Sequence, residues 1–220
     1  MKETVRAAAR NFLDNETEFH LGFLPTEQSS PITRNLDRAF AAGTAEGIRL
    51  LQRADREVLP MARKIFASEE FRRMVDAGLR TVKGGGRIVF SGCGATGRLS
   101  ILLESMWREY CANHPGTARA DSVASIMTGG DYALIRSVEF FEDYQSFGRR
   151  QVADLGMCEK DMLVAITEGG ETSSVIGTVK EAVERNCAVF LLFNNPAELL
   201  RERLIRCREV IDDPAVTVLD

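Results

Sequence analysis

The chain lacks any apolar run approaching the roughly 18 residues that a membrane-spanning helix needs, and no membrane partner is expected. Histidine is scarce, with two in 220 residues, and the five cysteines, Cys93, Cys111, Cys158, Cys187 and Cys207, are odd in number, scattered and without a CxxC pair. These shortages argue against a zinc site and a disulfide framework, leave reduced thiols as the expectation, and call for no cofactor. Basic charge is also short: 28 Lys and Arg face 32 Asp and Glu, a net charge of −4, with no basic run and no basic-aromatic interleaving. Nucleic acid is therefore not an expected partner. The N-terminal MKETVRAAARNFLDNETE has neither the basic head nor the greasy middle of a secretion signal, so a cytoplasmic location is the expectation.

What is present suits one α/β domain with extra helices, since 45% of the residues are apolar and the chain is long enough to bury a sizeable core. Residues 1–83 read as a helical extension. Within 36–58, Ile48, Leu50, Leu51 and Val58 fall among charges as on surface-packed helices. Pro60 is expected to kink or restart that helix. Ser68, Glu69 and Glu70 offer a cap and N-terminal acids for another helix through Val75 and Leu79, while 24–31 reads as a loop. After Lys83-Gly84-Gly85-Gly86, residues 84–220 alternate short apolar runs (87–91, 125–127, 163–166, 189–193 and 216–219) with amphipathic segments, of which 99–111 and 174–185 are the clearest helices. Strands apolar throughout belong in a parallel sheet covered on both faces, and strands separated by helices give right-handed crossovers. The expected fold is thus α/β, a doubly wound five-stranded parallel sheet. Ligands in such sheets sit beyond the carboxyl ends of the strands.

Three loops at those ends carry chemistry. In Ser91-Gly92-Cys93-Gly94-Ala95-Thr96-Gly97-Arg98, three glycines permit close backbone approach and Thr96 supplies a hydroxyl near a helix start, which suits an anion such as phosphate. The string also matches GxGxxG, which keeps a nucleotide reading open as a rival, although no acid follows about 20 residues on to hold a ribose, Asp131 arriving much later. The second loop, Thr167-Glu168-Gly169-Gly170-Glu171-Thr172-Ser173-Ser174, repeats that chemistry before another helix. Thr172 or Ser173 could act there only as an N-cap. Glu168 and Glu171 would repel a phosphate unless they point away. The third loop, Met127-Thr128-Gly129-Gly130-Asp131, precedes Val138-Glu139-Phe140-Phe141-Glu142-Asp143, whose acidic pair composition alone assigns to a solvated helix face.

These loops, with Thr26-Glu27, the stretch 31–37 and Asn195-Pro196 in the same order, resemble the sugar isomerase (SIS) domain family. Within it they resemble the branch containing N-acetylmuramic acid 6-phosphate etherase and the glucokinase regulatory protein. The resemblance implies a flavodoxin-like SIS fold binding a phosphorylated sugar, a hexose or amino-sugar 6-phosphate. It places Thr96, Thr167 and Thr172 on the phosphate, with Gly94 and Gly169 giving backbone access. Gly169 stands where the family motif has a serine, and Gly170-Glu171-Thr172 is similar to the GET of glucosamine-6-phosphate synthases, which makes Glu171 compatible with phosphate. Etherase chemistry needs an acid/base pair. The resemblance puts one member at Glu142 and the other at Met106, which transfers no proton. Glu104 is two residues away, about 200° around the helix, and does not substitute. A binding or regulatory module is therefore expected, with etherase cleavage, or aldose–ketose isomerisation through Glu142 or Glu168, as the enzymatic alternatives. A homodimer and a sugar-kinase partner are further implications. Related chains continue into a G-S-[ST]-R-[ML]-K-type loop where this one stops at Asp220, so the completing segments are expected to lie in further residues or in another chain.

Overall fold

The computed structural model describes residues 2–138 and 140–220. The chain divides into two compact units, Met1–Pro60 and Met61–Asp220. The first contains α1 (Lys2–Asn15), α2 (Leu36–Ala42) and most of α3 (Thr44–Phe66). Residues 24–31 include a 3₁₀ turn, Pro25–Glu27, preceded by the fully buried Leu24. α3 continues through Pro60 and does not restart there, because a proline removes a single helical N–H and its ring clash can be absorbed by bending.

The second unit holds α4 (Glu69–Lys83), α5 (Gly94–Asn113), α6 (Tyr132–Ile135), α7 (Gln145–Asp154), α8 (Ser173–Glu184), α9 (Ala197–Arg203) and α10 (Ile205–Ile211). Its strands are β1 (Ile88–Gly92), β2 (Val123–Met127), β3 (Met162–Ile166), β4 (Ala188–Leu192) and β5 (Val216–Leu219). All pair in parallel in the order β2-β1-β3-β4-β5. This is the flavodoxin-like order, in which the winding reverses between β1 and β3 and leaves a crevice between the loops that follow them.

Alternation along the strands decides which helix meets which face. Val89, Leu163, Ala165 and Leu191 are fully buried on the side where the Ser91 hydroxyl meets Thr178 of α8 at 3.0 Å. On the other side Met162, Val164, Phe190 and Leu219 form a core with Ala77 of α4, while Ile88, Phe90, Ile166 and Leu192 are only partly buried. That face is incompletely covered, which corrects the expectation of strands buried on both sides. An apolar groove of about 370 Å³ lies over it, bordered by Val75, Leu79 and Trp107 among others.

At the amino edge of the sheet, buried Asp161 accepts hydrogen bonds from the Arg87 backbone N–H (2.8 Å), Arg87 Nη2 (2.8 Å) and the Cys158 N–H (3.1 Å). The clamp joins the starts of β1 and β3. Burial pushes the Asp161 carboxyl up, but the Arg87 hydrogen bonds and charge outweigh it and hold it below the usual carboxylate range.

Candidate functional site

The loops after β1 and β3 meet the crevice through helix N-termini. α5 begins at Gly94, five residues before the expected start at Leu99, so Gly94, Ala95 and Thr96 form its first turn. The glycines have separate reasons. A Cβ at Gly97 would stand 2.7 Å from Met127 Cγ and 2.8 Å from the Gly92 carbonyl oxygen, so strand and helix approach at backbone distance. Cys93 is the N-cap and makes no side-chain cap bond, and the first-turn N–H groups have no intrahelical acceptors.

The second loop is fixed from behind. Four successive carbonyls are taken by the segment that follows β4: Glu168 O by the Asn194 N–H (2.9 Å), Gly169 O by Asn195 Nδ2 (2.9 Å), Gly170 O by Cys207 Sγ (3.6 Å) and Glu171 O by Arg206 Nε (2.8 Å). In a trans peptide the N–H points opposite to the carbonyl, so the N–H groups of residues 169–172 are aimed away from that segment. Gly170 has φ +86°, and a Cβ there would collide with Leu200 and Phe193. Successive N–H groups running into a helix N-terminus make a concavity suited to an anion.

The side chains sort differently from the sequence-based expectation. Thr167 is buried and shares a 2.8 Å hydrogen bond with Thr172. Thr172 is indeed the N-cap of α8, but its hydroxyl is engaged by Thr167 and caps no N–H. Glu171 is turned toward buried Arg206 (3.7 Å), so its charge is matched from behind the loop and does not face the crevice. A Cβ at Gly169 would meet only the tip of the flexible Glu171 side chain, Oε1 at 2.9 Å, so the backbone does not require the glycine that stands where the family motif has serine.

Two cavities flank the first turn of α5. Thr96 and Thr167 border one of about 490 Å³, together with Glu168, Asn194 and Asp220. Gly94 and Glu142 border the other, about 300 Å³, with Cys93, Thr128, Arg98 and Arg136. Gly169, Glu171 and Thr172 border neither. Glu142 and Asp143 lie in a 3₁₀ turn, Phe141–Asp143, not on a helix face as composition suggested. Glu142 Oε2 accepts a hydrogen bond from Cys93 Sγ at 3.2 Å. Burial, and then the Glu142 carboxylate, push the Cys93 thiol up to about 11. Glu139 lies outside the described residues. Phe140, a non-glycine residue, adopts φ +70°. Met106 is 56% exposed and faces a groove with Leu103, Trp107 and Tyr110, away from both cavities. Glu104 is directed to Ser125 of β2 (2.7 Å) and Arg108 (2.9 Å), so neither residue brings an acid to Glu142.

Cys93, Thr128 (whose hydroxyl meets Ser174 at 2.8 Å) and Asn195 lie in segments that the sequence singled out but were given no role there, and Arg206 escaped the sequence reading altogether. Among the described residues no group of three or more His, Cys, Asp and Glu could hold a metal ion, and no helix is long and apolar enough to cross a membrane.

The curated N-acetylmuramic acid 6-phosphate etherase of Salmonella agona (strain SL483) is 31% identical over 199 residues, covering 90% of this chain and 64% of that protein. N-acetylmuramic acid 6-phosphate etherase 1 of Bacillus licheniformis is 28% identical over 197 residues, covering 90% and 62%. The chain thus spans a little under two thirds of the length of these relatives. Among solved structures, a phosphoheptose isomerase from Francisella tularensis aligns with a TM-score of 0.49 and 17% identity over 75% of this chain and 96% of that one. A family model described as the glucokinase regulatory protein N-terminal SIS domain matches residues 70–183, more than half of the chain and the stretch that carries α4, β1, both crevice loops and α8. The chain belongs to that SIS-domain family.

Proposed function

We propose that the chain is a sugar-phosphate-binding SIS domain of the regulatory kind, which holds a hexose or amino-sugar 6-phosphate without cleaving it. The observation that carries this reading is the second loop, whose carbonyls at Glu168, Gly169, Gly170 and Glu171 are all anchored by residues 194–207. An anion at the crevice meets the N–H groups left on the other side, the first turns of α5 and α8, and the hydroxyls of Thr96 and Thr167, with Thr172 behind Thr167 as its hydrogen-bond partner. Each charge-assisted hydrogen bond of this type contributes roughly 1.5–3 kcal/mol. The sugar lies toward Gly94 and Glu142, with Glu142 accepting from its hydroxyls.

Support for a non-cleaving role comes from the acids. Glu142 is the one carboxylate among the described residues bordering its cavity, and the family resemblance puts Met106, which transfers no proton, at the position of the etherase's other acid. Etherase activity is the second reading, favoured by the names of the curated relatives. Thermal shift with fructose, glucose and glucosamine 6-phosphates checks the binding premise. Incubation with N-acetylmuramic acid 6-phosphate decides between the two readings. The regulatory reading predicts no D-lactate; lactate release that disappears in Glu142→Gln establishes the etherase.

A further inference from the structure

Cys93 lies at the crevice, but two other cysteines meet at the opposite end of the sheet, where the turn before β3 packs against the start of β4. Cys158 is exposed and Cys187 is buried. The Cys187 thiol donates to the Cys158 carbonyl oxygen at 3.1 Å. The same oxygen accepts the Asp161 N–H at 2.8 Å, and the Asp161 carbonyl accepts the Ala188 N–H at 3.3 Å, so both cysteines sit in one hydrogen-bonded corner. The Cys158 main chain is fixed there, its own N–H donating to the Asp161 carboxylate at 3.1 Å. Arg185 tightens the corner by donating to the Met157 carbonyl at 3.2 Å. Bond lengths keep a carbonyl oxygen within roughly 4 Å of the Cβ of its own residue, which puts the Cys187 sulfur within reach of a rotation of the Cys158 side chain. That rotation is unhindered, since the side chain is exposed and its thiol makes no hydrogen bond among the described residues.

The two thiols have complementary reactivity. Attack on a peroxide needs an accessible sulfur, and among the cysteines only Cys158 is exposed. Burial, and then the charge of Asp161, raise Cys187 to about 11, so it is a poor first target although it stands beside the one that reacts. We infer that Cys158 and Cys187 form a peroxide-responsive pair, in which Cys158 is oxidised first and Cys187 resolves it to a disulfide across the starts of β3 and β4. In the first step the Cys158 sulfur attacks one oxygen of hydrogen peroxide, the O–O bond breaks, and the thiol proton leaves with the other oxygen as water, giving a sulfenic acid. In the second, the Cys187 sulfur attacks the Cys158 sulfur, the S–S bond forms and the S–O bond breaks. The hydroxyl leaves with the Cys187 proton as a second water. The two sulfurs supply the two electrons that reduce the peroxide. Proximity offsets the small thiolate fraction of Cys187 in this second step. The bridge closes a loop that carries β3, the second crevice loop and α8, and it halts oxidation of Cys158 at a reversible stage.

Treatment of the reduced chain with a small molar excess of hydrogen peroxide, followed by intact mass and non-reducing peptide mapping, tests the pair. The expected product is a single chain lighter by two hydrogen atoms, with Cys158 and Cys187 in one linked pair of peptides; dithiothreitol restores the original mass. Cys158→Ser, a substitution at an exposed position, should abolish the loss of the two hydrogens. Cys187→Ala should leave the sulfenic acid unresolved, so that dimedone labels Cys158 at least about tenfold more than in the parent chain. Should that buried substitution prevent folding, the peptide map of the parent chain decides alone. A chain that peroxide leaves unchanged overturns the pair. So does a product in which Cys158 ends as a sulfinic acid or as a disulfide between two chains while Cys187 is still alkylated after denaturation. Dimedone labelling of Cys158 that is equal in parent and Cys187→Ala overturns it as well.

Discussion

Phe140 is a non-glycine residue with φ +70°, its side chain is 71% exposed, and it stands immediately before the turn that carries Glu142. A left-handed backbone costs an L-residue roughly 1–2 kcal/mol, and so little of the ring is buried that its packing does not offset the strain. Phe140→Gly is therefore expected to stabilise the fold by about 1 kcal/mol, a net figure after the added flexibility of the unfolded chain. A denaturant midpoint that falls would contradict this. The neighbouring thiol makes a second prediction. Because burial and Glu142 raise Cys93 to about 11, it is almost wholly a neutral thiol near pH 7.5 and should alkylate far more slowly than exposed Cys158. Peptide mapping after a short iodoacetamide pulse measures this, and equal labelling at Cys93 would refute it. The placing of both glycine loops between a strand and a helix N-terminus was legible in the sequence because it is local. Cys93 with Glu142, Asn195 with Gly169, and Arg206 with Glu171 were not, since these partners are 49, 26 and 35 residues apart and single-sequence periodicity carries no trace of such pairs.

The elements explain how Glu142 comes to face the first loop. Its turn leads directly into α7, and α7 is set against α8 at backbone contact: a Cβ at Gly148 would fall on the Ser174 carbonyl, and one at Gly177 on the carbonyl of Gln145. No flexible side-chain tip is available to yield at either point. Gly148→Ala and Gly177→Ala should each destabilise by roughly 3 kcal/mol, at the upper end for overpacking, and weaken ligand binding by displacing α8 and the Glu142 turn together. Urea denaturation with a parallel sugar-phosphate titration checks both effects; a tolerated alanine with unchanged binding would show that the helices can separate at no cost. The five strands were legible to within two residues at either end because each is a short apolar run bounded by turn residues. The start of α5 was not, because Gly94, Ala95, Thr96 and Gly97 read as loop by composition. They are helical because the Gly92–Gly97 approach lets the chain turn directly out of β1.

Across the whole molecule, titrating groups mark both ends of the stability range. Burial raises Cys187 as well as Cys93 to about 11, from an ordinary value of 9.0. A raised pKa contributes stability that is complete below the unfolded value and lost as pH rises through the folded one. Stability should therefore decline between pH 9 and 11, and Cys93→Ser with Cys187→Ser should flatten that decline. On the acid side Asp161 is held low, so its contribution is present above the unfolded value near 3.9 and lost as pH falls through the folded one. Asp161→Asn leaves Arg87 without its buried counter-charge and should cost about 3 kcal/mol at pH 7. The variant should also lose part of the acid-side slope. The Asp161 clamp lies at the amino edge of the sheet, away from the crevice, and the central claim concerns the crevice itself: the phosphate is held between the first turn of α5 and the anchored loop before α8. Calorimetry with N-acetylglucosamine 6-phosphate and with unphosphorylated N-acetylglucosamine, on the parent chain and on Thr167→Val, tests this most directly. The account predicts one site for the phosphate ester, no detectable heat with the free sugar, and about tenfold weaker binding in the variant; equal binding of ester and free sugar, or a variant that binds the ester as the parent does, would contradict it.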